Sequence, residues 1–267
     1  PAIFGQRLGV FFRAVPIFQH HAVRSDGHLA RFAGRERLAV LAPDSADWAP
    51  SDYNRGIAYL VVLGWPILLA VRNRFGWTGA VTAALPLVAL TSLSQSAGAK
   101  LALATGTLVL VMTLWRPRLV TQALWIGVPV AAWMGPALIR WTVPHAVSAN
   151  IGLERSWLHR LVSWDDLRAR IGERPWAGWG FSTAKQLPVS REELAGFSHV
   201  TEAGIYPHNQ WIELWVYGGG VSVCIALTFV LLIVRRISRM SKQGQPFAHA
   251  ALASAVVASA VNFEVTT

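Results

Sequence analysis

Arg160 and His208 are the side chains of this 267-residue sequence whose types and surroundings best suit chemistry. Both lie in a polar stretch, residues 140–210, that interrupts an otherwise apolar chain. Arg160, Trp164, Leu167 and Ile171 follow at i, i+4, i+7 and i+11, which at about 100° per residue keeps them within about 40° of one another. The spacing predicts a helix over residues 153–172 with Arg160 on its apolar face. A guanidinium among Trp, Leu and Ile needs an anionic partner, because a desolvated unpaired charge is costly. Its planar fork suits a phosphate or diphosphate; a structural salt bridge or a snorkelling side chain is the plainer reading. Arg155 lies about 140° away around the same helix. It shares its side with His159, Asp166 and Arg170 and reads as solvated.

His208 and Asn209 lead directly into an apolar run that begins near Gln210. A helix N-terminus there disfavours imidazolium and would keep His208 neutral, able to accept a proton near neutral pH. The plainer reading is an N-cap histidine bonded only to backbone. Arg55 and the pair Gln95 and Lys100 stand at the edges of other apolar runs, where a substrate contact competes with an interfacial anchor or a snorkelling lysine. Ser94 and Ser96 beside Gln95 read equally well as a polar helix terminus. After the polar helix, Arg174-Pro175-Trp176-Ala177-Gly178-Trp179-Gly180 combines a helix-stopping proline with glycines that permit a tight turn or close backbone approach.

Several chemistries are disfavoured. The chain has no phosphate-binding loop, dinucleotide fingerprint or Cys/His metal set. Asp165 and Asp166 are adjacent on a helix and diverge by about 100°, and His20 and His21 have no spaced partner. Metal-dependent nucleotide-sugar chemistry is therefore disfavoured. Most apolar runs lack charge in their interior, which argues against a proton-relay transporter; Glu213 is the exception.

The elements that must position these residues are membrane helices. The chain is 53% hydrophobic and 14% charged, a composition foreign to a soluble domain of this size. Six apolar runs, residues 56–71, 78–93, 97–115, 119–139, 211–234 and 248–261, approach or exceed the roughly 20 residues of a bilayer span. The net charge of +10 comes mostly from arginine. In a membrane protein it indicates topology signals and anionic lipid contacts before nucleic acid. Arg72 with Arg74, Arg116 with Arg118, and Arg235, Arg236, Arg239 with Lys242 form tight clusters that the positive-inside rule makes cytoplasmic. The parity then puts residues 1–54, the turn at residues 94–96 and the polar stretch on the extracytoplasmic side. Trp48, Trp77, Trp115, Trp141 and Trp211 fall at span ends, as interfacial indoles do.

The expected fold is all-α, a polytopic transmembrane bundle with a helical extracytoplasmic loop domain. Its expected divisions are an extracytoplasmic or interfacial arm over 1–54, four spans within 55–140, a catalytic loop over 141–209 and two spans within 210–267. The single cysteine, Cys224, allows no intrachain disulfide. No initiator methionine or signal-peptide pattern is present, and the last apolar run stops close to Thr267, so the chain reads as cut at both ends.

Arg160 with Trp164, the segment Arg174-Pro175-Trp176-Ala177-Gly178-Trp179-Gly180, and then Pro207-His208-Asn209-Gln210-Trp211-Ile212-Glu213-Leu214-Trp215 together resemble the O-antigen ligase and polymerase superfamily. Asn54-Arg55-Gly56 and Ser94-Gln95-Ser96-Ala97 are weaker landmarks of the same family, so the resemblance covers roughly residues 53–239. It implies an extracytoplasmic loop carrying an essential arginine and histidine, here Arg160 and His208, and a glycan donor on undecaprenyl diphosphate. It also implies substrate contacts from Arg55, Arg155, Lys100, Gln95, Trp164 and Asn209. Gln95 stands where many members have arginine, and Tyr217 where an acidic residue is common; Lys100, Arg55 or Arg155 would compensate for the former. Members usually have about twice as many spans.

The implied activity is an inverting, metal-independent and cofactor-free glycosyltransferase of the bacterial inner membrane, with its active face periplasmic. The acceptor would be a lipid A core, making a ligase, or another lipid-linked glycan, making a polymerase. Membrane lipids, not nucleic acid, complete the expected partners. A non-catalytic polysaccharide transport or assembly subunit is the alternative from another class.

Overall fold

A computed structural model describes residues 50–148, 155–181 and 208–261. The described residues form helices α1 (Pro50–Leu93), α2 (Ala97–Trp115), α3 (Pro117–Ser148), α4 (Arg155–Glu173), α5 (Gln210–Ser238) and α6 (Gln245–Val261), and contain no strand. The segments Gly56–Leu93, Ala97–Trp115, Pro117–Thr142 and Gln210–Ser238 are long and apolar enough to cross a membrane, and α6 is a shorter apolar helix. The chain is therefore an all-helical, multi-pass membrane protein. The arm expected over residues 1–54 lies outside the described residues apart from the first turn of α1.

At about 1.5 Å per residue a straight α1 would be about 66 Å long, twice a bilayer's hydrocarbon core. It is not straight. Gly76 adopts φ 71° and ψ −169°, a region open almost only to glycine, and the helix reverses there. A Cβ on Gly64 would lie 2.6 Å from Leu87 Cδ2, whereas a straight helix would hold those residues about 35 Å apart. The two runs expected at residues 56–71 and 78–93 are thus antiparallel arms joined by one glycine.

The remaining turns are equally short. Ser96 N-caps α2 by accepting from the Ala99 N–H at 3.1 Å. Arg116 alone separates α2 from α3, with φ −137° and ψ 65°, because the ring of Pro117 disfavours helical geometry in the residue before it. α3 continues to Ser148, nine residues past the expected end at Ile139. Hydropathy falls at Arg140, but backbone hydrogen bonding does not depend on it, and Thr142 Oγ1 still donates to the Leu138 carbonyl at 2.8 Å.

Packing gathers the three basic clusters at one end of the bundle. The Arg72 guanidinium lies 4.5 Å from the Trp77 ring centroid and 5.9 Å from that of Phe247, and donates to the Gln243 carbonyl at 3.1 Å. That pins the Gly76 turn to the α5–α6 connection. His249 of α6 is fully buried between Thr113 of α2, 3.4 Å from Nδ1, and Thr121 of α3, 3.3 Å from Nε2. In mid-bundle Trp65 Nε1 donates to Ser254 Oγ at 2.9 Å, and Ser254 Oγ to the Ala102 carbonyl at 2.8 Å, tying α1, α6 and α2.

α4 and the segment after it are held by a break in α5. Gly219 adopts φ 59° and ψ −153°, so the helical bonds from residues 220 and 221 back to 216 and 217 are lost. Residues 175–180 supply all four partners. Gly220 N–H donates to the Pro175 carbonyl at 2.7 Å and Val221 N–H to the Trp176 carbonyl at 3.3 Å. In return Trp179 N–H donates to the Val216 carbonyl at 2.7 Å and Gly180 N–H to the Tyr217 carbonyl at 2.9 Å. Ser222 Oγ reaches across the same break and donates to the Leu214 carbonyl. Contact is backbone to backbone: a Cβ on Gly178 would lie 2.6 Å from the Tyr217 carbonyl, and one on Gly219 would collide with the Trp176 carbonyl carbon. The close approach expected of this glycine-rich segment is present, and α5 is its partner. Gly178→Ala and Gly219→Ala should each lower stability by about 3 kcal/mol or more, read by thermal unfolding in detergent. Gly127→Ala, with nothing within 4 Å of its Cβ position, should stay within about 0.5 kcal/mol of the parent.

Candidate functional site

α4 presents the face its periodicity predicts. Leu167 and Ile171 are buried against Val128, Ala132 and Ile139 of α3 and Ile212, Trp215 and Val216 of α5, with Trp164 and Trp211 partly buried beside them. Ser163 is also buried. Trp215 Nε1 donates to the Ala132 carbonyl at 3.0 Å, and its ring meets Trp133 edge-on at 5.1 Å. The C-terminal end of α4 is closed by Trp179, whose Nε1 donates to the Arg170 carbonyl at 2.9 Å while Arg174 stacks on its ring at 4.4 Å. One orphan helix carbonyl is thereby satisfied.

Arg160 sits one turn before Trp164 and is half-buried. Its Nη1 donates to the Val261 carbonyl, on the last described residue of α6, at 3.2 Å. A guanidinium has five N–H donors, and this bond uses one of them. Toward the outer face, Asp165 pairs with Arg168 at 2.9 Å and Glu173 with Arg170 at 3.2 Å. Arg155 is the first residue of α4; its side chain, with those of His159 and Asp166, lies outside the described residues.

At the start of α5 the capping role falls to Asn209, whose Oδ1 accepts from the N–H groups of Trp211 at 3.0 Å and Ile212 at 3.2 Å. His208 therefore is not the N-cap. It precedes the cap, half-buried, with a left-handed backbone at φ 47°. Its ring is not the group that closes the helix. Glu213 lies one turn further on and is 1% exposed. An ionisable side chain buried in a membrane helix is costly and rare. Sequence reading noted Glu213 as an exception without assigning it a role; the signal was an acid inside an apolar run.

The α1–α2 turn divides its polar residues. Ser94 Oγ donates to the Thr91 carbonyl at 2.8 Å and Ser96 Oγ caps α2, so both serines are buried helix-terminus groups. Gln95 and Lys100 are exposed. Ala99 and Ala102 of α2 pack with Ile57, Ala58 and Val61 of α1 and with Ala258 of α6, one turn before Val261, which receives Arg160. The end of α6 thus packs against α2 and receives Arg160 of α4. Arg55 precedes Ile57 in α1, its side chain outside the described residues. Arg55, Gln95, Lys100, Arg160, Trp164, His208 and Asn209 therefore share the end of the bundle opposite the basic clusters. Of these, only Trp164 and the start of α5 are brought into one packed cluster among the described residues. The described residues hold no group of three or more His, Cys, Asp or Glu that could bind a metal.

A family model described as O-antigen ligase matches residues 81–227, more than half of the chain. The match runs from the second arm of α1 past the break in α5. Proteins of Rickettsia typhi and Rickettsia conorii, each named "Putative polysaccharide ligase", are 19% identical over 190 and 193 residues. These alignments cover 70% and 71% of this chain and 47% of each relative. The chain thus spans about half the length of the curated relatives it matches. No solved structure matches it. The matched region takes in α4, the segment docked on α5 and the α5 N-terminus, and on it the chain belongs to the O-antigen ligase family.

Proposed function

We propose that this chain carries the catalytic loop and part of the membrane bundle of a glycosyltransferase that moves a glycan from undecaprenyl diphosphate to a lipid A core or similar acceptor. The observation that carries the reading is the docking of α4, which bears Arg160, onto α5, whose first turn follows His208, inside the family-matched region. The acceptor hydroxyl attacks the anomeric carbon from the face opposite the diphosphate. The new C–O bond forms as the bond to the diphosphate oxygen breaks, so the anomeric centre inverts. His208 takes the hydroxyl proton. Arg160, with Arg55, Arg155 or Lys100, holds the diphosphate and stabilises the negative charge that grows on it. Gln95, Trp164 and Asn209 contribute contacts to the glycan or carrier. No metal or cofactor enters these steps. The basic clusters face the cytoplasm by the positive-inside rule, which puts the site on the periplasmic side of the inner membrane.

The test is transfer in proteoliposomes holding the intact natural protein, an undecaprenyl-diphosphate-linked oligosaccharide and lipid A core, with EDTA present. Sugar should appear on the core. His208→Ala should lower turnover by about 10²–10⁴-fold. Arg160→Lys should also fail, because an ammonium cannot grip a diphosphate bidentately. Growth of lipid-linked chains in place of core transfer would make the activity a polymerase, and an intact donor would favour a non-catalytic transport or assembly role. Asn209→Ala should cost about 1 kcal/mol of stability through the lost cap, while Asn209→Asp keeps the cap. If Asn209 also binds substrate, the Asp variant will unfold like the parent yet show a raised KM.

A further inference from the structure

We infer that the end of the bundle opposite the candidate site is a binding surface for anionic phospholipid headgroups, built from the α2–α3 turn and the α5–α6 turn. Arg116 forms the first turn and Arg118 follows it in α3; Arg235, Arg236, Arg239 and Lys242 line the second. All six are exposed. The two turns are held side by side. Thr113 and Thr121, on either side of the first, both face His249 near the start of α6. Leu124, less than two turns into α3, packs with Val234 and Ile237 of α5 and Leu252 of α6.

Among the described residues no carboxylate is seen paired with these cations. No Asp or Glu occurs between Tyr53 and Leu153 or between Leu214 and Phe263. The described ion pairs, Asp165 with Arg168 and Glu173 with Arg170, belong to α4. Arg72 is a different case: its guanidinium is occupied by Trp77, Phe247 and the Gln243 carbonyl and serves the fold.

Apolar surface accompanies the cations. Trp115, beside Arg116, is 79% exposed, Leu119 is 54% exposed and Met240, between Arg239 and Lys242, is 40% exposed. An exposed indole next to paired arginines suits the headgroup level, where the ring meets acyl carbons and the guanidinium meets phosphate. Arginine forks grip phosphodiester oxygens with directed hydrogen bonds. Each such cation near an anionic leaflet strengthens association about fivefold. A soluble anion would use the arginines and leave Trp115, Leu119 and Met240 in water; a phospholipid uses both.

The test is native mass spectrometry of the full chain released from detergent with phosphatidylglycerol or phosphatidylcholine, alongside thermal unfolding in each lipid. Phosphatidylglycerol adducts should persist and raise the unfolding temperature, phosphatidylcholine should do neither, and inorganic phosphate should not displace the lipid. Arg116→Gln with Arg118→Gln, and separately Arg235→Gln with Arg239→Gln, should each weaken phosphatidylglycerol binding by about twentyfold or more. Arg168→Gln, on α4, should leave it unchanged. Equal retention of the two lipids, equal loss in Arg168→Gln, or displacement by inorganic phosphate would overturn the proposal. If either double variant does not fold, Trp115→Ala supplies the same reading, and unaltered lipid retention there counts against it.

Discussion

Four backbone hydrogen bonds between residues 175–180 and the interrupted α5 are the constraint on which the rest of this structure depends. Within an apolar bundle a broken helix leaves amides and carbonyls that no water can satisfy, and each costs several kcal/mol if left bare. Here the groups freed by Gly219, the amides of Gly220 and Val221 and the carbonyls of Val216 and Tyr217, are the groups that Pro175, Trp176, Trp179 and Gly180 engage. Neither partner is complete alone. The segment after α4 has no regular structure of its own, and α5 cannot bend at Gly219 without it. Side chains would keep the two backbones apart, which is why Gly178 and Gly219 face one another's chains.

This docking gives α4 its place. Once Pro175 is seated on α5, Leu167 and Ile171 fall into the cluster formed by α3 and α5, and Arg160 is carried to the end of α6. The Trp215 indole spans the same layer by donating to the Ala132 carbonyl. Arg160 stands on a helix anchored by backbone bonds and apolar packing to the helix that begins just after His208.

The opposite end is organised by different chemistry. Short reversals at Gly76 and Arg116 and the α5–α6 turn bring the cations together, and polar contacts through buried His249 and through Arg72 lock the turns to one another. The bundle thus has arginine clusters without acidic neighbours in sequence in the turns at one end and α4, whose arginines alternate with carboxylates, at the other.

How much of this was legible depended on whether local physics settled it. Hydropathy and length determined the membrane character and all six apolar runs, two of which became the arms of α1, and the 3.6-residue period placed Leu167 and Ile171 on the buried face of α4 with Arg160 beside them. The order of Arg160, the glycine-rich segment and His208-Asn209 pointed to the family. Such features depend on side chains within a turn or two of one another, or on transfer from water to lipid. What only the tertiary structure decided were contacts between residues far apart in the chain: that Gly178 needs its freedom because of Gly219, that Arg160 donates to Val261, and that His249 sits between Thr113 and Thr121. Asn209 rather than His208 caps α5, because the cap depends on the φ and ψ of each residue, which composition does not encode. α3 ran on to Ser148 because helical hydrogen bonds continue where hydrophobicity stops. The sequence determined which faces must be hidden; which partner hides each was settled by the pairing of backbone groups that cannot be left unsatisfied.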